Sequence, residues 1–193
     1  MKNKIKDFAE IIPGYSFRGS IVEDPAGEYL VLQAKDISMG DYISDSASFT
    51  RIFSSNIRKP VLLKTNDIVI TSRGRGPGSF KAAIFKSAIA SVIPSSSLIV
   101  IRLKNNLLVP EFVVSYLNSN QGQSVILKSV TGGVFQTLLR KDLAEIEIPV
   151  PSTDKQKLIS DLSHNIFLQE YLSKRLASVR SGLLNGIIES MRN

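Results

Sequence analysis

Apolar positions recur in short runs through the first 150 residues and at three- and four-residue steps through the last forty. The short runs predict strands. Glu28-Tyr-Leu-Val-Leu-Gln is rich in aromatic and aliphatic residues, a composition suited to a pleated, half-buried surface. Val61-Leu-Leu-Lys followed by Asp67-Ile-Val-Ile-Thr-Ser predicts a turn feeding a buried strand, and Lys81-Ala-Ala-Ile-Phe and Leu98-Ile-Val-Ile-Arg-Leu predict two more. Helical spacing is visible in Pro110-Glu-Phe-Val-Val-Ser-Tyr-Leu-Asn-Ser. Pro110 suits the first turn, and Phe112, Val113, Tyr116 and Leu117 share a face. A second helix is expected from Gly122 to Lys128, and a short opening helix over Asp7-Phe-Ala-Glu-Ile-Ile, ended by Pro13-Gly14. Thr131-Gly-Gly-Val-Phe is a loop, and Lys141-Asp-Leu opens a last strand, Glu145-Ile-Glu-Ile, which alternates polar and apolar.

Pro149-Val150-Pro151 then interrupts the pattern. Each proline fixes its own φ and keeps the preceding residue out of the helical region. A domain boundary is expected here, separating residues 1–150 from a helical segment, 151–193. Thr153 and Gln156 have capping-box spacing. Leu158, Ile159, Leu162, Ile166, Leu172, Leu176, Val179, Leu183 and Ile187 follow, and from Leu172 to Leu183 the steps are four, three and four, the spacing of a coiled-coil seam. A helix this long cannot bury its own stripe. It must pack on a second chain or fold back on the globular part. Gly182 and Gly186 weaken it by about 1 kcal/mol each relative to alanine. The expected fold class is α+β: one mixed α/β globular domain followed by a long C-terminal helix of coiled-coil type.

Composition changes this picture little. Of 193 residues, 43% are hydrophobic and 21% charged, as in a globular chain with a sizeable core. The absence of cysteine excludes disulfides and thiolate metal sites and fits a cytoplasmic location. No apolar run approaches the ~20 residues of a membrane span, and the basic N-terminus lacks the apolar stretch of a secretion signal.

Charge adds more. The net charge is +7, and between Asp45 and Glu111 ten basic residues face a single acid, Asp67. The ten are Arg51, Arg58, Lys59, Lys64, Arg73, Arg75, Lys81, Lys86, Arg102 and Lys104. Such imbalance suits a surface that meets phosphates, with a solvated basic face as the alternative. Catalytic constellations are missing. His164 is the only histidine, it falls inside the long helix, and the acid pairs Glu23-Asp24 and Glu145/Glu147 have no partners spaced for chemistry. The glycines of Arg73-Gly-Arg-Gly-Pro-Gly-Ser match no nucleotide fingerprint.

That glycine-rich run is the first candidate for nucleic-acid recognition. Arg73 and Arg75 leave a buried strand, Gly74, Gly76 and Gly78 free the backbone for positive φ, and Ser79 and Lys81 continue the surface. Arginine is shaped to bridge guanine O6 and N7. A flexible turn with solvated arginines is the alternative. A second candidate is Thr131 to Lys141, where Thr131, Gln136 and Thr137 offer hydrogen bonds and Arg140 and Lys141 offer charge. Phe135 and Leu138 are expected in the core. Arg51, Arg58 and Lys59 complete the candidate DNA-binding set.

These segments, taken in order, resemble the specificity subunit of type I restriction-modification systems. Gly14-Tyr-Ser-Phe resembles that family's G-x-S-F, and Leu63-Lys-Thr-Asn-Asp-Ile-Val-Ile its L-K-x-G-D-I-L. Ile146-Glu-Ile-Pro-Val-Pro-Ser-Thr-Asp-Lys-Gln-Lys-Leu-Ile resembles its I-x-I-P-L-P-x-x-x-E-Q-x-x-I. Leu32-Gln-Ala-Lys-Asp-Ile-Ser, Pro110 to Leu117 and Gly132-Gly-Val-Phe-Gln match as well. Asn66 stands in place of the family's glycine and Lys155 in place of its glutamate. The resemblance implies a non-catalytic subunit that reads double-stranded DNA, binds no cofactor itself, and recruits methyltransferase subunits carrying S-adenosylmethionine, and restriction subunits. Family members typically carry two target-recognition domains and two long helices. One of each here implies a half-subunit that homodimerises through its helix. A truncated decoy that binds methyltransferase subunits without reading DNA is the alternative.

Overall fold

The computed structural model describes residues 2–38, 42–44, 49–53 and 57–191. Its elements run β1 (Lys2–Lys4), α1 (Ile5–Phe8), β2 (Ala9–Pro13), β3 (Tyr29–Leu32), β4 (Tyr42–Ile43), β5 (Thr50–Ile52), β6 (Ile68–Thr71), β7 (Arg73–Gly74), β8 (Ala82–Phe85), β9 (Val92–Pro94) and β10 (Leu98–Leu103). The chain then becomes mostly helical: α2 (Pro110–Asn118), α3 (Asn120–Ser129), β11 (Gln136–Thr137), α4 (Arg140–Glu145), β12 (Glu147–Pro149) and α5 (Thr153–Ser190).

The central sheet has the order β2-β10-β6-β8-β4, and a second sheet the order β5-β3-β9. The apolar runs are unbroken because the central sheet is covered on both faces. Side chains alternate across a strand, so Ile68, Ile70, Ala82, Ile84, Ile99 and Ile101 join one core with Phe8, Phe112, Val113, Leu117 and Ile126. Val69, Ala83, Phe85, Leu98 and Val100 join another with Leu30, Leu32, Ile37 and Val92. Full burial of each such Ile or Leu contributes roughly 1.5–3 kcal/mol.

Three expectations are corrected. The opening helix is confined to Ile5–Phe8, and Ala9–Pro13 is instead a strand paired with β10, because Ile11 and Ile12 fill the two cores separately. Lys141-Asp-Leu lies in α4, and the last strand begins at Glu147. Thr153 is the first helical residue rather than the cap. Ser152 holds the cap position, without a side-chain bond. The short strands β1, β4, β5, β7, β9 and β11 have no counterpart among the expected elements.

β1 pairs with β12 and so brings the N-terminus to the end of the domain. Lys4 Nζ and Lys6 Nζ donate to the two carboxylate oxygens of Glu145 at 2.8 and 2.6 Å. These bonds pull the Glu145 carboxyl down from 4.5 to about 2. A carboxyl depressed by folding stabilises the fold above its unfolded value and loses that contribution as pH falls through its folded value. The melting temperature of the wild type should therefore exceed that of Glu145→Gln at pH 6. The gap should close as pH falls from 4.5 towards 2; a gap that persists at pH 2 would remove the lysine bonds from the explanation.

α5 has 38 residues and, at 1.5 Å per residue, spans about 57 Å. Its first turns pack on α2, leaving a groove of about 290 Å³ lined by Tyr42, Glu111, Ser115, Ser160, His164 and Phe167. His164 is exposed, its ring 5.4 Å from that of Tyr42. From Leu168 to Met191 every residue is exposed. Leu158, Leu162, Ile166, Leu172, Leu176, Val179, Leu183 and Ile187 all lie open on the helix surface. The helix thus docks at its start and projects beyond it.

Candidate nucleic-acid interface

The two candidate recognition segments meet in space. β7 and β11 form a two-stranded antiparallel sheet, with Gly74 opposite Gln136 and Arg73 opposite Thr137. Thr131 and Thr137 exchange backbone hydrogen bonds at 3.1 and 2.8 Å, closing the second loop. The result is one edge that carries Arg73, Arg75, Thr131, Val134 and Phe135, all exposed.

Side chains from three elements hold this edge. Gln136 Oε1 accepts from the Gly76 N–H at 3.1 Å. Gln123 on α3 is buried, its Oε1 accepts from the Gly78 N–H at 3.1 Å, and its amide donates to the carbonyls of Phe80 and Leu117. Thr71 Oγ1 donates to the Ser79 carbonyl and accepts from the Lys81 N–H. Gly76 and Gly78 have positive φ, as expected, but Gly74 does not; a Cβ there would strike the Ser79 hydroxyl. The Ser79 hydroxyl itself donates to the Gly76 carbonyl. The loop is therefore held by hydrogen bonds from β6, α3 and β11. Gln123 is absent from the sequence reading. Its only signal there was a glutamine three residues before Ile126, on the apolar face of the helix.

Phe135 corrects another expectation. Leu138 is buried in the core, but Phe135 is 65% exposed, and the Arg75 guanidinium lies 4.0 Å from its ring centroid. Arg73 and Arg75 have no carboxylate partner among the described residues.

The other candidates lie outside this two-stranded sheet. Arg140 and Lys141 are exposed at the start of α4, beyond β11. The Lys81 side chain is half-buried beside β8. Arg51 lies on β5 in the separate three-stranded sheet, where its guanidinium donates to the Gly27 carbonyl at 3.0 Å. Arg58 and Lys59 are exposed, and the Arg58 N–H donates to the Tyr15 hydroxyl.

Two of the ten bases in the acid-poor stretch are internally neutralised. Lys86 pairs with Glu111 at 2.9 Å. Arg102 donates from Nε and Nη2 to the two carboxylate oxygens of Asp67 at 2.8 and 2.7 Å, and this bond raises the guanidinium pKa further. Asp67 also accepts from the Lys64 N–H across a turn in which Asn66 takes a φ of 73°. Asparagine tolerates that left-handed conformation better than most residues, which explains how it can stand in place of glycine. Among the described residues no group of three or more His, Asp or Glu could hold a metal ion, and no helix is long and apolar enough to cross a membrane.

The fold is a mixed α/β domain of several sheets followed by the long helix α5. Residues 1–176 match the model of the type I restriction modification DNA specificity domain, and the chain belongs to that family. Specificity subunits of this family are the non-catalytic members of the restriction-modification complex.

Solved structures share the fold. One, described as the structural basis underlying complex assembly and conformational transition of the type I R-M system, superposes with a TM-score of 0.66 at 18% identity, over 97% of this chain and 43% of that one. The HsdS subunit from Thermoanaerobacter tengcongensis gives 0.59 at 21% identity, over 91% of this chain and 39% of that one. The type I S subunit from M. genitalium gives 0.56 at 18% identity, over 92% of this chain and 41% of that one. This chain thus spans about two fifths of the length of these three structures. No curated protein sequence matches it.

Proposed function

We propose that the chain reads double-stranded DNA through the β7–β11 edge and uses α5 to dimerise and to seat methyltransferase subunits on a bipartite site. The observation that carries the DNA reading is the joining of two sequence-distant loops into one ordered, arginine-bearing edge. Arg73 and Arg75 serve base reading, with Thr131, Gln136 and Thr137 beside them. Arg51, Arg58, Lys59, Lys81, Arg140 and Lys141 serve phosphates, which fix register and carry no sequence information. Gly74, Gly76 and Ser79 shape the loop. The division at 150/151 separates reader from helix, with the first turns of α5 as the joint.

The open stripe from Leu158 to Ile187 supports pairing with a second helix, and a two-fold dimer would read an interrupted palindrome. S-adenosylmethionine would be held by the methyltransferase subunit and not by this chain, and restriction subunits would join the same complex.

Selection from a random 40-base-pair duplex pool tests the reading: the chain should enrich a defined site. Arg73→Ala or Arg75→Ala should each weaken binding to that site by about 1–3 kcal/mol at one base pair. Lys141→Ala should weaken all duplexes alike and lower the salt slope by about one. Absence of enrichment alongside normal methyltransferase binding would favour a decoy. Sedimentation of the chain at rising concentration tests the helix, and a strict monomer would end the homodimer proposal.

A further inference from the structure

Val134 and Phe135 are 78% and 65% exposed, yet they do not sit on a slack loop. Gly132 takes a φ of +111°, and any Cβ there would strike the Phe135 carbonyl. Thr131 and Thr137 close the loop behind them, and Gln136, the next residue, is paired with Gly74. Two large apolar side chains are thereby held out into solvent on a braced tip. One face of the Phe135 ring carries the Arg75 guanidinium at 4.0 Å. Arg73 is on the adjoining strand β7.

We infer that Val134 and Phe135 form a wedge that enters the base stack of bound duplex DNA, with Phe135 stacking on a base and Arg75 bracing the ring. The inference rests on the DNA-reading proposal and deepens it. Charge selects the occupant: an apolar tip flanked by two arginines that have no carboxylate partner among the described residues suits a polyanion with an apolar interior. Minor-groove and architectural proteins insert Phe, Leu and similar side chains between base steps in this way, unstacking them and kinking the duplex. A guanidinium on an aromatic ring supplies a flat cationic platform that stacks on any base. Arg75 thus has two uses, the base reading of the proposed function and a brace for the wedge.

The chain contains no tryptophan, so Phe135→Trp introduces a single indole at the tip. The probe is the duplex that the wild-type chain enriches from the random pool. The indole emission should be quenched as this duplex is added, and that of Leu107→Trp, at an exposed position beside the start of α5, should not. Val134→Trp is a second reporter at the same tip. Phe135→Ala should weaken binding of the duplex by about 5- to 150-fold, the range that loss of one stacked base gives. It should also reduce the bend measured by energy transfer between the duplex ends. Unchanged emission at full binding overturns the wedge and leaves DNA reading intact. Quenching by the methyltransferase subunit alone and not by duplex also overturns it, and marks the tip as a protein contact. Failure of the wild-type chain to enrich any duplex overturns both readings.

Discussion

Arg102→Met is expected to lower the free energy of unfolding by about 3 kcal/mol, the lower end for breaking a buried ion pair. Asp67 is 2% exposed and receives both the Nε and Nη2 bonds of Arg102. The pair sits one step beyond the Ile68–Ile101 register between β6 and β10, at the head of the central sheet. Without the guanidinium the carboxylate keeps, among the described residues, only the Lys64 N–H, and most of the loss comes from a charge left in a dry place. Arg102 is itself partly exposed, so water relieves some of this, which sets the figure at the low end. Asp67→Asn combined with Arg102→Met should recover much of the loss, because asparagine can still accept from Lys64 and leaves no buried charge. Urea midpoints of the single and double variants decide the matter. Equal loss in both would show that the stranded charge is not the cause.

Gln156→Leu should cost a similar amount, about 2–3 kcal/mol, but through a different region. Gln156 is 1% exposed. Its Oε1 accepts from the Val109 N–H at 2.9 Å, and its amide donates to the carbonyls of Leu107 and Pro151 at 2.9 and 3.0 Å. One side chain therefore ties α5 to both the segment before α2 and the proline connector. Leucine has similar bulk but leaves the part-buried Val109 N–H without this partner, at about 1–3 kcal/mol, and the carbonyls of Leu107 and Pro151 lose their donor. Glutamate would not substitute, because it cannot donate to either carbonyl. Amide exchange should speed up in the first three turns of α5 and stay slow in β6 and β10. Unchanged exchange in α5 would show that the helix is held by its contacts with α2 and not by this staple.

Gln156 also shows where sequence reading stopped. Its spacing from Thr153 suggested a capping box, and the resemblance to the specificity family placed it in the most telling motif. The structure turns its side chain inward instead, because the helix begins one residue earlier than a Thr153 cap requires. The elements behaved similarly. β6, β8, β10, α2, α3 and α5 were legible, since each carries a run or a helical period long enough to stand out. β7 and β11, of two residues each, have no period at all and exist only because each provides the other's partner. At the candidate interface, the Arg-Gly run and the Thr131–Lys141 segment were both visible, but as separate candidates. Arg51 and Arg58 were legible only as charge, and their positions on another sheet and loop were not.

The sequence by itself determined the buried strands, the long C-terminal helix, the apolar stripe along it and the basic excess between Asp45 and Glu111. All of these are local properties of spacing and composition. Only the tertiary structure decided that Gly74 lies opposite Gln136, that Phe135 points out under Arg75, that Arg102 is consumed by Asp67, and that Gln123 and Gln156 act as internal ties. Each depends on packing or register between segments remote in the chain, as with the Gly76–Gln136 bond across 60 residues. The spacing within either segment carries no record of that register.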